Sequence, residues 1–155
     1  MRTTQHGRAV GSVLGNPQPD PTTLLGTIRR AHVLLQFGDL ETQFGIQTEP
    51  LAVFEWQRGS SCILRTFSHE VDAERYLLIL GRPGIVPEPW DDRHVRYTWP
   101  DGVELDDAML NVKWQAEDGA HEMTSSSLRE RTNLCLAAWA RDVSIEELLA
   151  RAARN

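Results

Sequence analysis

Leu51–Gly81, LAVFEWQRGSSCILRTFSHEVDAERYLLILG, reads as strand, tight turn, strand and capped helix, and that order decides the fold class. Over Leu51–Gln57, Leu51, Val53 and Glu55 alternate with Ala52, Phe54 and Trp56, the period of two that sends successive side chains to opposite faces of a strand. The second set supplies the apolar face near the turn. Arg58-Gly59-Ser60 makes the connection. Ser61–Phe67 then returns, with Cys62, Leu64 and Thr66 on one side and Ile63, Arg65 and Phe67 on the other. Ser68 offers a helix cap, and Glu70 and Asp72 occupy a first turn where negative charge suits the helix dipole. Ala73, Tyr76, Leu77 and Leu80 form the apolar stripe, and Gly81 is the expected C′ residue.

Upstream, residues 1–19 are rich in Gly, Pro, Thr and Gln without apolar periodicity, and read as a flexible tail. Asp20-Pro21 gives a cap followed by proline at the first helical position. Leu24, Ile28, Ala31 and Leu35 recur at helical spacing, Leu25, His32 and Val33 widen that face, and Gly38 closes the helix.

Downstream, residues 82–93 hold three prolines and read as a loop. His94–Trp99 alternates like a half-buried strand, Pro100-Asp101-Gly102 marks a turn, and Val103–Leu105 pairs back. Met109–Ala116 and His121–Thr124 read as a hairpin about Glu117-Asp118-Gly119. Two capping boxes, Ser127 with Glu130 and Ser144 with Glu147, open two C-terminal helices, the second with a Val143–Leu148 staple. The expectation is one α+β domain over residues 20–155: an antiparallel sheet of about five to six strands with four helices, packed on one side.

With 155 residues the chain is long enough to bury a core. Its net charge of −6 repels phosphate backbones and anionic lipid, which makes nucleic acid and membrane unfavoured partners. No run approaches the 18 apolar residues a membrane span needs, and the N-terminus lacks the apolar core of a signal peptide, so the expected location is the cytoplasm. Cys62 and Cys135 are too few for a disulfide framework and form no CxxC, and read as buried thiols.

The chain carries no catalytic or cofactor motif. His121-Glu122 starts like HExxH, but position 125 is Ser, which leaves a surface pair on a hairpin. Asp91, Asp92 and His94 lack a fourth ligand nearby. His69, Glu70 and Asp72 sit at a helix start, where acids belong for dipole reasons alone. Gly59-Ser60-Ser61-Cys62 brings no base or oxyanion site, and Gly81-Arg82-Pro83-Gly84 lacks the Lys-Ser/Thr ending of a phosphate loop. No enzyme activity, cofactor or metal is therefore expected. The C-terminal helix pair has helix-turn-helix offsets, but its second helix opens with Glu146 and Glu147, which face phosphate repulsively, while Arg151 and Arg154 suit the dipole at its far end.

Asp101, Glu104, Asp106, Asp107, Glu117, Asp118 and Glu122 are seven acids against Lys113 alone. Such a face speeds encounter with a basic partner and fixes register. Trp90, with Asp91 and Asp92 beside it, and Trp99 flank the stretch, and tryptophan is a favoured interface anchor. The candidate partner-binding set is Trp90, Asp91, Asp92, Asp101, Glu104, Asp106, Asp107, Glu117 and Asp118.

Three segments resemble the actinobacterial antitoxin family that neutralises NAD-hydrolysing necrotizing toxins. Ala52-Val53-Phe54-Glu55-Trp56, within Leu51–Phe67, is similar to that family's aromatic strand. Glu74-Arg75-Tyr76-Leu77-Leu78, within Ser68–Gly81, is similar to its amphipathic helix. Leu136–Leu148 resembles its short apolar helix leading into Val143-Ser144-Ile145-Glu146-Glu147-Leu148. The resemblance covers about a third of the chain and implies a non-enzymatic immunity protein that binds and occludes a cognate toxin. The alternative is a small DNA-binding regulator that uses the C-terminal helix pair.

Overall fold

A computed structural model describes residues 33–38, 42–58, 60–91, 96–108, 110–125 and 131–154. Nine strands and three α-helices lie within them. Strands β1 (Val33–Gly38), β2 (Thr42–Thr48), β3 (Leu51–Gln57) and β4 (Ser60–Phe67) form one antiparallel meander. Strands β7 (Val103–Leu105), β8 (Asn111–Ala116) and β9 (Gly119–Thr124) form another. The two join through β4 and β9 in a seven-stranded sheet of order β1-β2-β3-β4-β9-β8-β7. That seam is short: its register holds only Thr66↔Thr124 and Phe67↔Met123. A separate ribbon pairs β5 (Trp90–Asp91) with β6 (Arg96–Tyr97).

Helix α1 (Glu70–Gly81) lies against β2, β3 and β4, and α2 (Arg131–Trp139) and α3 (Ile145–Arg154) pack on α1. The core between sheet and helices holds Ile46, Val53, Phe67, Val112 and Met123 from the strands against Tyr76, Leu77, Leu134 and Leu148. Burying a Leu or Ile this fully contributes about 2 kcal/mol. No described helix is long and apolar enough to cross a membrane.

The α+β class and the antiparallel sheet are as the sequence leads one to expect. Two strands of the sheet go beyond the sequence reading: Val33–Gly38, read as the end of a first helix, is β1, paired from Val33↔Gln47 to Gly38↔Gln43 with β2, Thr42–Thr48, to which the sequence reading assigns no element. A short apolar run satisfies either period, and here the neighbouring strand decides. The tail over 1–19, the start of that expected helix at Asp20-Pro21, and the Ser127–Glu130 box lie outside the described residues.

Five local readings change. Val103–Leu105 does not pair back across the Pro100-Asp101-Gly102 turn but pairs with β8, and Arg96–Tyr97 pairs with β5 instead. Ser68 does not cap α1; the cap position is His69, with no side-chain bond to the helix, because Ser68 Oγ is engaged by β9. Gly81 is the last helical residue rather than C′, and Arg82 takes the cap position. Within the Pro-rich loop, Pro83–Ile85 forms a 3-10 turn and Trp90-Asp91 pairs as β5. Finally, the pairing of β3 with β4 shifts between Val53↔Arg65 and Phe54↔Ile63, so Leu64 is an extra, bulged residue. The bulge puts Ile63 on the face of Phe54, where it is 43% exposed, and Arg65 on the face of Val53, where it is fully buried.

The Ser144 cap is present: Glu147 N–H donates to Ser144 Oγ at 3.1 Å. Leu148 is in the core, and Val143 is half-buried against that core. Gly119 follows the Glu117-Asp118 turn with φ +131, a conformation an L side chain rarely adopts.

Candidate functional site

Around the seam the structure assembles a polar cluster. In β8, Val112 and Trp114 point inward, and the register Val112↔Met123 and Trp114↔His121 turns His121 inward with them. His121 is therefore buried, at 4% exposure, not on the surface as its hairpin position suggests. On α1, Asp72 sits one turn before Tyr76 and shares its inward face, at 2% exposure. It does more than answer the helix dipole: His121 Nδ1 donates to Asp72 Oδ2 at 2.5 Å.

The other ring nitrogen of His121 donates to Asp118 Oδ1 at 2.7 Å. Asp72 also accepts from Arg75 Nη1 at 2.9 Å, and Arg75 Nε donates to the Val143 carbonyl at 2.8 Å, tying α1 to the turn before α3. His69, at the start of α1, lies flat on His121, with centroids 3.6 Å apart and planes 4° from parallel. Trp114 flanks the same ring at 5.3 Å. Ser68 Oγ, within 2.8 Å of His69 Nδ1, accepts from the Glu122 N–H at 2.8 Å. Ser68 N–H in turn donates to the Glu122 carbonyl at 3.0 Å, so the seam continues for one residue past the strands.

With a carboxylate on each nitrogen, His121 is built to be an imidazolium. Burial works against its charge, but the bonds to Asp72 and Asp118 prevail and raise its pKa above the usual 6.5. The same bond from His121 lowers the pKa of Asp118 from 3.8, against a smaller desolvation effect. Asp72 and Asp118 against His121 and Arg75 leave the cluster electrically balanced.

His69, Asp72 and His121 bring ligand atoms within 4.8 Å of one another. The arrangement fits a proton better than a metal ion. Two parallel rings stacked at 3.6 Å cannot aim in-plane lone pairs at one ion about 2.1 Å from each nitrogen. Both His121 nitrogens are also committed to carboxylates, so neither faces a substrate as a general base would need to. On the outer face of the seam, Thr66, Phe67, Ser68, Glu122 and Thr124 line an open hollow of about 250 Å³.

The acidic set divides along the far end of the sheet. The register Val103↔Trp114 places Asp101 beside the β8–β9 turn with Glu117 and Asp118, while Asp106 and Asp107 lie at the opposite end of β7. Glu104 lies between them, across from Lys113. Asp101, Glu104, Asp107 and Glu117 are exposed. Asp106 is also exposed, but its Oδ1 accepts from the Leu110 N–H at 2.7 Å and so secures the β7–β8 turn. Asp118, 63% exposed, carries the bond to His121. Lys113 Nζ lies 3.7 Å from Glu122 Oε1.

Trp90 is half-buried on the ribbon, 4.7 Å from the Tyr97 ring, and its indole donates to Glu88 Oε2 at 2.5 Å. Trp99 packs against the core. Asp91 is half-buried in β5, and Asp92 and His94 lie outside the described residues. Of the two thiols, Cys135 is buried as expected but Cys62 is exposed, near the open end of β4. On α3, Arg151 donates to Glu147 and to the Ile85 carbonyl, so this arginine faces inward along the helix and Glu146 and Glu147 occupy its exposed first turn.

The chain matches no family model, no curated protein and no solved structure.

Proposed function

We propose that this protein is a non-enzymatic binding module that docks a basic protein through the β7 end of its sheet. The observation that carries the reading is the run of exposed carboxylates Asp101, Glu104, Asp107 and Glu117 along that end, where the only lysine of the chain lies within ion-pair distance of Glu122. Surface charge mainly of one sign accelerates encounter with a partner of the opposite sign and discourages the wrong ones. The resemblance to the actinobacterial antitoxin family narrows the partner to a cognate NAD-hydrolysing toxin held in the cytoplasm, with the acidic edge set against the basic mouth of its active site.

Tagged protein is used to capture partners from a host lysate at low salt, and the captured protein is identified by mass spectrometry. Association is then measured for the parent and for a Glu104→Lys, Asp107→Lys double variant. The expected result is a toxin-like partner whose association rate falls about tenfold on reversal and loses that sensitivity at high salt. An identified partner that binds both proteins at the same rate would sink the acidic-edge reading.

A further inference from the structure

Arg65 is fully buried, yet among the described residues its Nη1 and Nη2 meet no hydrogen-bond partner. The bulge at Leu64 immediately precedes it, and its cross-strand partner is Val53, on the helix side of the sheet. Bulges commonly re-aim a side chain next to a functional site. Nε donates to the Tyr76 hydroxyl at 3.3 Å, and the guanidinium carbon lies 5.7 Å from the centre of the Tyr76 ring. Phe67, two residues on, packs on the same ring at 5.6 Å. These contacts fix the near edge of the guanidinium. The far edge, Nη1 and Nη2, is buried and meets no hydrogen-bond acceptor among the described residues. The buried acid of the described residues, Asp72, is already bonded to His121 and Arg75.

A buried charge with open donors is a costly arrangement that native proteins resolve with a partner of opposite sign. The geometry points to an anion site: we infer that Arg65 holds the oxyanion group of a small ligand, a phosphate or a carboxylate. The paired Nη1 and Nη2 donors match two oxygens of such a group side by side. Tyr76 holds the fork in place from behind. Because Arg65 has no exposed surface, the anion is enclosed as the sheet and α1 come together and leaves only when they part, so it exchanges slowly.

Protein refolded into chloride without oxyanions provides the test. Its thermal midpoint is followed against inorganic phosphate and, separately, acetate, both at constant ionic strength, and protein as purified is weighed by native mass spectrometry. The expected result is a midpoint that climbs with the logarithm of one of the two anions. Arg65→Met should abolish the response and Arg65→Lys should weaken it. A retained mass larger than either ion assigns the oxyanion to a larger metabolite, whereas response to phosphate or acetate alone assigns it to the free ion. If Arg65→Met does not fold, the titration of the parent and of Arg65→Lys decides. A parent indifferent to both anions, with no retained mass, overturns the proposal. In that case the guanidinium finds its countercharge within the chain, or needs none if Arg65→Met is the more stable protein.

Discussion

The imidazoles of His69 and His121 lie face to face, 3.6 Å apart and within 4° of parallel, one from the start of α1 and one from β9. The stack, with the Asp72 and Asp118 bonds to the lower ring, joins the helix layer to the part of the sheet where the strands themselves hold least.

Replacing His121 with Asn strands a buried Asp72 carboxylate with Arg75 as its remaining partner. Removing one member of a buried charged pair costs about 3–5 kcal/mol. Urea unfolding should therefore show a loss of that order for His121→Asn. The paired change Asp72→Asn, His121→Asn should cost less than the sum of the two single changes, since the double variant strands neither the Asp72 carboxylate nor the His121 imidazolium against the other.

The raised pKa of His121 gives stability a pH dependence of definite sign. The folded state keeps the proton at pH values where the unfolded chain has released it. The contribution is complete below the unfolded value near 6.5 and is lost as pH rises through the folded value. Asp118, with a lowered pKa, acts in the opposite sense: its contribution is present above about 3.8 and is lost as pH falls through its folded value. Unfolding free energy measured from pH 6 to 9 should decline for the parent, and the decline should be absent in His121→Asn and smaller in Asp118→Asn. A flat parent profile would contradict the doubly bonded imidazolium.

The two thiols should react very differently. Cys62 is exposed, whereas burial pushes the Cys135 pKa up to about 12, and Cys135 Sγ lies against the Thr98 carbonyl at 3.5 Å. The thiolate is the reactive form. A thiol reagent should label one cysteine in the native protein and two after unfolding, and Cys62→Ser should abolish native labelling.

Ser144→Ala removes the acceptor for the Glu147 N–H at the start of α3. The loss of such a cap costs about 1 kcal/mol. Chemical denaturation should register that decrease with no change in the slope of the transition. A cost near zero would mean that Val143 and Leu148 alone hold the helix entrance.

The second meander and α3 are legible in the sequence because local signals agree with one another there. Alternation over β8, a two-residue turn and a glycine fix that hairpin, and Ser144 with Glu147 fixes the start of α3. The first strand is different: the period of Val33–Gly38 fits a helix as well as a strand, and only pairing with a distant segment decides. The cluster was partly within reach. Once Val112 and Trp114 are placed inward, the hairpin register forces His121 inward too, and Asp72 shares a helical face with Tyr76. What local reading does not supply is the approach of β9 to the start of α1, which makes a buried network from residues that otherwise look like a surface histidine and a dipole acid. The Leu64 bulge is likewise invisible to a strict period of two, and it separates Ile63 from Arg65.

The short seam has a consequence for how the chain assembles. Each meander joins strands that are neighbours in sequence, so each closes small loops and can form early. Ser68 and Glu122, by contrast, are 54 positions apart, and the contacts between them must wait until that long loop is closed. Of the contacts in the sheet, those through Thr66, Phe67 and the His121 cluster therefore carry the largest closure cost. The line between β4 and β9 is accordingly where local opening is expected to show first, as the fastest amide exchange within the sheet.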